Sequence, residues 1–195
     1  MRRTVYLWVY TVAMLIGGNP FVNAAELYRL DPDHTSIVFR VKHLNVAYVF
    51  GSFYKSSGMI RIEENDPSRS TIEMQVMADS VSTHVDKRDK HLRSPDFFDI
   101  KKYPTISFKS RSVKPIDDSS YKVSGELTLL GKTRPLVVTV SETGSGKDPW
   151  GKFRKGFKTN FSINRSEYGM AAMQGAVADT VDITVSSEGI QQANP

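Results

Sequence analysis

Cysteine is absent from this chain of 195 residues. Its absence excludes thiol catalysis, disulfide exchange and cysteine-based zinc or iron–sulfur sites. A domain without disulfides has to be held together by its hydrophobic core, and a domain of this size can bury one. For a chain with an export signal, the absence of cysteine favours the bacterial periplasm or the bacterial medium, because small proteins secreted by higher cells are usually rich in disulfides.

A long apolar run is also lacking. The most apolar segment, from Val5 to Gly17, follows a basic start and is ended by glycine, asparagine and proline. It falls short of the ~20 residues that a membrane-spanning helix needs. Small residues then lead to Ala24, which is typical of a secretory signal peptide. We therefore predict a signal peptide over residues 1–24, cleaved near Ala24 and Ala25, and a periplasmic or secreted location; an uncleaved anchor helix is the alternative.

Neither sign of charge is in large excess. Lysine and arginine total 26 against 21 acidic residues, a net charge of +5, which becomes +3 when Arg2 and Arg3 leave with the signal peptide (26 − 2 − 21). This small excess favours solubility and suits an anionic membrane surface or a phosphorylated ligand. No basic tract with interleaved aromatic residues is present, which argues against nucleic acid as a partner. Residues 25–195 are predicted to form a single domain.

Apolar and polar residues alternate with a period of two along most of the remaining chain. In the clearest case, over residues 36–42, Ile37, Phe39 and Val41 share one face. Such alternation is typical of a half-buried antiparallel strand. A separate short strand is predicted at residues 28–31, ended by the proline that follows it.

The alternating segments amount to eight or nine strands with turn signals between them. One of them is predicted to run from Phe53 past Gly58 to Ile62, and the glycine-rich residues 144–151 are predicted to be the most mobile loop. Antiparallel strands with one apolar face close into a barrel or pack as a sandwich. Long strands with large inward residues favour the barrel, and eight strands leave room for side chains or one ligand. The predicted fold class is therefore all-β, an antiparallel eight-stranded barrel.

Residues 84–101 do not alternate and are predicted to form a short helical insertion. Thr83, followed three residues later by Asp86, resembles a capping box at the start of a helix. Ser94 with the proline after it resembles a second helix start, because proline is tolerated at the first helical position. The insertion is therefore expected to contain two capped helical turns.

Two features of the insertion indicate how it lies on the barrel. Leu92, Phe97 and Phe98 give this charged segment an apolar side that can pack on the strands. Arg88 and Asp89 are adjacent, and a bidentate ion pair between them could pin the insertion to the barrel rim. We favour this structural role for the pair over a direct contact with a ligand, which stays open.

Histidine is scarce, and its positions indicate neither a metal site nor a catalytic site. The four histidines, His34, His43, His84 and His91, lack the spacing of a helical ligand pair. A Gly-x-Ser-x-Gly elbow is missing, and the acidic residues of the insertion alternate with basic ones as on a solvated helix. We predict no catalytic residues, no metal and no cofactor; the alternative is a hydrolase or isomerase that uses the histidine and aspartate residues of the insertion.

Many large apolar residues fall on the faces predicted to point inward. Each of them is explained by core packing alone, but together they either fill the barrel solidly or line a channel that takes a ligand. The sequence leaves these two alternatives open. The residues predicted to line the interior are Phe39, Val41, Phe53, Met74, Val76, Phe97, Phe98, Phe108, Leu127, Leu129, Phe157, Phe161 and Ile183.

Four ordered blocks of the sequence resemble the YceI-like family of bacterial polyisoprenoid-binding proteins. The blocks span nearly the whole predicted mature chain. In the first, Asn45-Val46-Ala47 stands close to the place where the family has a glycine. The blocks are Tyr28-x-Leu30-Asp31-x-x-His34-x-x-Ile37-x-Phe39-x-Val41-x-His43, the run from Ser80 to Phe108 with its Arg88-Asp89-Lys90-His91-Leu92-Arg93-Ser94-Pro95-Asp96-Phe97-Phe98-Asp99 core, Gly125-x-Leu127-Thr128-x-x-Gly131-x-Thr133-x-Pro135, and Ile163-Asn164-Arg165-Ser166-Glu167-Tyr168-Gly169-Met170.

The resemblance implies a lipocalin-like barrel whose pore takes the tail of an isoprenoid lipid and which has no catalytic residues. The implied ligands are an isoprenoid quinone or a prenyl pyrophosphate, loaded through a transient contact with a membrane, and a homodimer is compatible with it. From charge, Arg88, Lys90 and Arg93 are candidates for contacts with a head group. The main alternative is a solid-cored periplasmic stress or interaction protein without an internal ligand.

Overall fold

A closed ring of β-strands forms the body of the protein. The structure, a computed structural model, describes residues 25–193, so the predicted signal peptide lies outside the described residues. Short 3₁₀ turns occur at Pro67–Arg69, Ala78–Ser80 and Arg165–Tyr168. The strands and the α-helix are β1 (Glu26–His43), β2 (Ala47–Phe53), β3 (Ser56–Ile62), β4 (Thr71–Met77), β5 (Val81–Ser82), α1 (Asp86–Leu92), β6 (Thr105–Pro115), β7 (Ser120–Leu129), β8 (Lys132–Lys147), β9 (Phe153–Asn164) and β10 (Val177–Gln191).

Eight of these strands close the ring. Going around it, β1 pairs with β10, and the order continues through β9, β8, β7, β6, β4 and β3 back to β1, with every pair antiparallel. Closure leaves the ring without an unpaired edge, which is how barrels avoid exposed backbone groups. The prediction of an all-β, eight-stranded antiparallel barrel with a short helical insertion is confirmed.

Strand β1 is one continuous strand with a large bulge, so the prediction of two separate strands there is wrong. Asp31 pairs with Glu188 of β10, and the next paired residue, Ser36, lies opposite Ser186. Between these two pairs β1 therefore covers five residues and β10 only two. The odd excess of three residues reverses which side chains point inward. Proline has no N–H to pair, so it is tolerated in the bulge, where the Thr35 hydroxyl donates to the Asp31 carbonyl at 2.7 Å.

The strand predicted from Phe53 to Ile62 is two strands, because residues 54 and 55 separate β2 from β3. Both strands pair with the same edge of β1, β3 near its start and β2 near its end. A turn joins β1 to β2, with Leu44 and Asn45 at φ of 50° and 57°. Two successive positive φ values define the type I′ turn favoured in hairpins, which here forms without the expected glycine.

The predicted mobile loop at residues 144–151 is mostly strand, which corrects that prediction. Strand β8 continues through a bulge at Gly144 and pairs with β9 as far as Lys147. The short turn that follows is held by Asp148, whose carboxylate accepts the amides of Trp150 and Lys152 at 3.0 and 2.9 Å. Glycine in a strand marked a bulge here rather than a loop.

The insertion contains a single helix, α1, which does not begin at the predicted caps. The N-cap residue before it, Val85, makes no side-chain capping bond, and the Thr83 amide donates instead to the Asp89 carboxylate at 2.8 Å. Ser94 begins a series of turns rather than a second helix, and its hydroxyl donates to the His91 carbonyl. Among the described residues, no helix is both long enough and apolar enough to span a membrane.

Arg93, rather than an ion pair of Arg88 with Asp89, pins the insertion to the barrel. Its guanidinium donates to the carbonyls of Asp79 and Val81 at 2.8 and 2.6 Å. The predicted pair is not formed, because Arg88 donates to the hydroxyl and the carbonyl of Thr83. Burial alone would raise the pKa of Asp89, but hydrogen bonds from Thr83 and the nearby arginine charges lower it below its usual value.

The two ends of the barrel are built differently, and we name them by what they carry. The mouth end carries the insertion (84–101), the β1–β2 turn (44–46) and the β9–β10 connection (165–176). The charged end lies opposite, where β1 and β9 begin and where an ion-pair network surrounds Arg154. A cluster of buried apolar side chains, including Tyr28, Leu30, Ile60, Val113, Val123, Val138, Val140 and Phe157, fills the half of the barrel next to the charged end.

Candidate functional site: an apolar cavity in the barrel

Register between neighbouring strands brings large apolar side chains face to face inside the barrel. Phe39 of β1 lies opposite Ile183 of β10, which lies opposite Phe161 of β9. On the other side of β1, the Phe39 ring covers Gly51 of β2 so closely that any side chain at position 51 would clash with it. The inner wall is therefore continuous across four adjacent strands, and glycine at one point makes room for an aromatic ring.

A cavity of about 240 Å³ lies inside the barrel, so the interior is not packed solid. All of the residues predicted to line the interior lie around this cavity; that they contact a ligand stays a prediction. These residues are Phe39, Val41, Phe53, Met74, Val76, Phe97, Phe98, Phe108, Leu127, Leu129, Phe157, Phe161 and Ile183.

The wall also contains residues that the sequence analysis missed. Most are apolar side chains in the same alternating frame, such as Ile37 and Val185, and the period of two could have identified them. Met170 and Val177 lie in or beside the β9–β10 connection, where no alternation points to them. The other additional wall residues are Leu30, Ile60, Ile72, Ile106, Leu136, Val138, Val140, Ile163 and Val181, together with the polar residues Ser107, Lys158, Thr159, Arg165 and Ser187.

On β1, β9 and β10, burial of the inner wall decreases from the charged end to the mouth end, whereas Val76 of β4 and Leu129 of β7 are buried near the mouth end. Leu30 of β1 and Phe157 of β9 are buried, whereas Val41 and Phe161, farther along the same strands, are only partly buried. Strand β10 has the same gradient in the opposite chain direction, since its start lies at the mouth end. The empty space is therefore concentrated toward the mouth end on the side formed by β1, β9 and β10, and we place the opening of the cavity there.

The insertion closes part of the mouth end with the three apolar side chains that the sequence singled out. Leu92, Phe97 and Phe98 all lie in the cavity wall. The Phe98 ring meets Phe53 edge to face, with ring centroids 5.4 Å apart, a favourable aromatic geometry. Phe98 also packs against the buried cluster of Leu127, Leu129 and Tyr168. The apolar side of the insertion is thus part of the site.

The three candidates for head-group contacts lie outside the cavity wall. Arg88 and Arg93 donate to main-chain oxygens of the segment around the insertion, as described above. Lys90 is exposed on α1. The structure does not bring the three cations together around the cavity, and their contact with a head group stays a prediction.

A buried arginine in the cavity wall was not predicted. Arg165 is 3% exposed, and burial lowers the pKa of its guanidinium. In the described part of the chain, no acidic side chain lies within ion-pair distance of Arg165. Its guanidinium instead donates at 2.8–2.9 Å to main-chain carbonyls of the β9–β10 connection and of the start of β10. The acceptors are the carbonyls of Met170, Ala172, Val177 and Ala178. Arg165 thus holds one side of the mouth end in place.

One histidine does lie beside carboxylates, at the charged end. Ligand atoms of Asp31, His34 and Glu188 fall within 4.8 Å of one another. The guanidinium of Arg154 already pairs with this group, at 2.6 Å from Asp31 and 3.0 Å from Glu188. Because this cation neutralises the carboxylates, the arrangement is that of a salt-bridge network. The other close histidine–carboxylate pair, His91 with Asp96, is exposed and outside the cavity wall.

Comparison with known proteins identifies the family. Residues 28–189 match the YceI-like domain. The chain is 35% identical over 188 residues to a UPF0312 protein of Pseudomonas aeruginosa, which covers 93% of this chain and 98% of that protein.

Two solved structures have the same fold. Burkholderia cenocepacia BcnA superposes with a TM-score of 0.73 at 23% identity, covering 82% of this chain and 98% of that one. A polyisoprenoid binding domain from Saccharophagus degradans, implicated in plant cell wall breakdown, superposes with a TM-score of 0.66 at 15% identity, covering 85% and 98%. With its barrel, its apolar cavity and a match over most of its length, this chain belongs to the YceI-like family, which includes polyisoprenoid-binding domains.

Proposed function

We propose that this protein is a non-enzymatic carrier that holds the tail of an isoprenoid lipid in the barrel cavity. The observation that carries the proposal is the cavity wall, in which nearly every side chain is apolar. Moving apolar chain from water into such a wall is favourable by ~0.8 kcal/mol per methylene. A tail of many carbons therefore has a large driving force, from which the cost of ordering the tail and the protein is subtracted.

The cavity volume bears on how a long tail would fit. At about 240 Å³ the cavity is somewhat below the ~300–1,000 Å³ of typical ligand sites. A few isoprene units fill this space, and the rest of a long tail has to extend through the mouth end or displace the insertion. The proposed ligand is an isoprenoid quinone or a prenyl pyrophosphate, and Arg88, Lys90 and Arg93 are the proposed contacts for a charged head group that stays outside the barrel.

Loading is proposed to occur at a membrane, by way of the mouth end, in a periplasmic or secreted protein. Leu44, Val46 and Met173 are exposed at the tips of two turns there, and Val46 is 84% exposed. The two turns adjoin, because the Leu44 amide donates to the Ala176 carbonyl at 2.7 Å. Apolar side chains exposed together at the edge of a protein are typical of a contact with a membrane surface.

Native mass spectrometry of protein purified gently from the periplasm, followed by organic extraction, tests the carrier function. We expect an isoprenoid lipid to co-purify at about one per chain. Val181→Trp places a large ring in the cavity wall and should lower this occupancy at least ~10-fold, because it fills the space that the tail needs. Ser186→Trp, on the exposed outer face of the same strand, is the matched control and should leave occupancy unchanged.

Two results would count against the proposal. A wild-type protein that carries no lipid and takes up no added isoprenoid would favour a protein that acts through its surface. Equal occupancy in Val181→Trp and wild type would mean that the lipid lies outside the barrel.

A further inference from the structure

One hydroxyl in the cavity wall has no hydrogen-bond partner. Thr159 lies on β9 between Phe157 and Phe161, in the inward-facing frame, and pairs across the sheet with Val140 and Val185. Its side-chain oxygen is shielded from solvent and makes no hydrogen bond within the described residues. Burying a hydroxyl without a partner costs free energy, and valine would fill the same space without that cost.

A second hydroxyl lies beside it. Ser187 of β10 is buried, lines the cavity, and pairs with Phe157. Since Val185 is the residue opposite Thr159, Ser187 is its diagonal neighbour on the same wall, a distance at which two side chains can contact one small group. The two hydroxyls form a polar spot where the packed half of the barrel meets the open half.

The charged side chains of the inner face nearest to this polar spot, Lys155 of β9 and Glu142 of β8, pair with each other at 3.7 Å, and Lys155 also pairs with Glu26 at 3.4 Å. Lys158 contributes to the wall but is exposed. Arg165 follows the last residue of β9, at the mouth end, and its guanidinium donates to main-chain carbonyls. Lys155 and Glu142 lie on the charged-end side of Thr159 and outside the cavity wall, and the charge of Lys155 is neutralised by its two carboxylates. Within the cavity wall, the inward neighbours of the two hydroxyls on β1, β8, β9 and β10 are apolar. A desolvated phosphate without a cation would be strongly disfavoured here, whereas an uncharged carbonyl, hydroxyl or ether oxygen would satisfy the hydroxyls.

We propose that Thr159 and Ser187 form a subsite for an uncharged oxygen of the ligand, deep in the cavity. The inference rests on the proposed carrier function and selects the quinone from its two ligand classes. A quinone ring would enter first, with a carbonyl oxygen accepting from the Thr159 hydroxyl, and the tail would extend toward the mouth end. A ligand held in this orientation is recognised at its head and shielded along the first part of its tail.

Paired probes separate this hydrogen bond from general apolar binding. The affinities of the mature wild-type chain and its variants are measured for decyl-p-benzoquinone and for decylbenzene, which lacks the carbonyls. Thr159→Val should weaken quinone binding about 10-fold, the size expected for loss of one buried hydrogen bond, and leave decylbenzene binding unchanged or stronger. Thr159→Ser, which keeps the hydroxyl, should retain the quinone preference, and Thr139→Val on the exposed outer face of β8 is the matched control.

The outcomes distinguish the two proposals. If wild type binds both probes and Thr159→Val changes their affinities equally, or changes neither, the subsite is wrong and the carrier function stands. If wild type binds neither probe, the carrier function fails and the subsite fails with it. Valine is favourable in strands, so the variant should fold, and circular dichroism checks this before binding is measured.

Discussion

The charged end and the mouth end use arginine in opposite ways. At the charged end, Arg154 joins three acidic side chains, Asp31, Asp148 and Glu188, at 2.6–3.0 Å, and so ties separate strands together above a packed core. At the mouth end, Arg93 and Arg165 donate to main-chain carbonyls of irregular segments. The charged end is closed by ion pairs between side chains. At the mouth end, arginine side chains hold the segments around the cavity in place by hydrogen bonds to the main chain.

The charged end is therefore expected to contribute mainly to stability, and the mouth end mainly to the proposed ligand binding. Where the interior is filled, near Tyr28 and Phe157, it can supply most of the hydrophobic stabilisation of the fold. Where the interior is partly empty, near Phe39 and Phe161, apolar surface is available to a ligand at the expense of packing. Substitutions at the two ends should therefore have different consequences.

The largest expected effect comes from two phenylalanines on β9, one in each half of the barrel. Phe157→Ala removes a buried ring and should lower the free energy of unfolding by about 3–5 kcal/mol. Phe161→Ala, at a partly buried position in the cavity wall, should cost only about 1–2 kcal/mol, because its ring leaves less well-packed surroundings. Urea unfolding of both variants measures the difference, and equal losses would show that the two halves are packed alike.

An intermediate effect is expected at the tip of the mouth end. Val46→Asp puts a charge on an exposed apolar tip and should weaken binding to anionic phospholipid vesicles about 10-fold, because the tip can no longer enter the bilayer surface. Stability should be unchanged. Val137→Asp, an exposed valine on the outer face of β8, is the control in a vesicle co-sedimentation assay, and an equal loss in both variants would contradict a specific contact through this turn.

The smallest effect is a pH dependence at the charged end. The hydrogen bond to Asp31 raises the pKa of His34. Protonated His34 therefore stabilises the fold fully below its unfolded pKa of ~6.5, and this contribution is lost as the pH rises through the raised folded value. His34→Ala should remove that part of the slope. Unfolding midpoints of both proteins between pH ~6 and ~8 measure it, and identical slopes would show that the pair does not contribute.

The sequence was informative wherever alternation continued without interruption. It predicted the antiparallel barrel and placed side chains such as Phe39 and Ile183 on the inner wall. It was wrong where a local signal has two structural meanings. Proline at 32 indicated the end of a strand but sits in a bulge, and glycine at 144 indicated a loop but also sits in a bulge.

Other features depend on contacts between distant parts of the chain. Thr83 was predicted to cap a helix, but once the segment folds back on itself, its amide donates to Asp89 and its hydroxyl accepts from Arg88. The role of Arg165 depends on four carbonyls that only the folded β9–β10 connection brings together. Whether the core is solid or hollow depends on the sum of many side-chain volumes, which no local pattern encodes.

The pairing of β1 with β10 has a consequence for how the protein is made. Tyr28 lies opposite Gln191, so the barrel closes only when the first and last strands of the domain meet. Contacts between residues so far apart in sequence form slowly, because the entropy cost of closing a long loop comes before the favourable energy of the contacts. Until β1 pairs with β10, the barrel is open along one edge, and the cavity is not enclosed. If the cavity holds a lipid as proposed, the lipid can enter only a chain whose first and last strands have already paired.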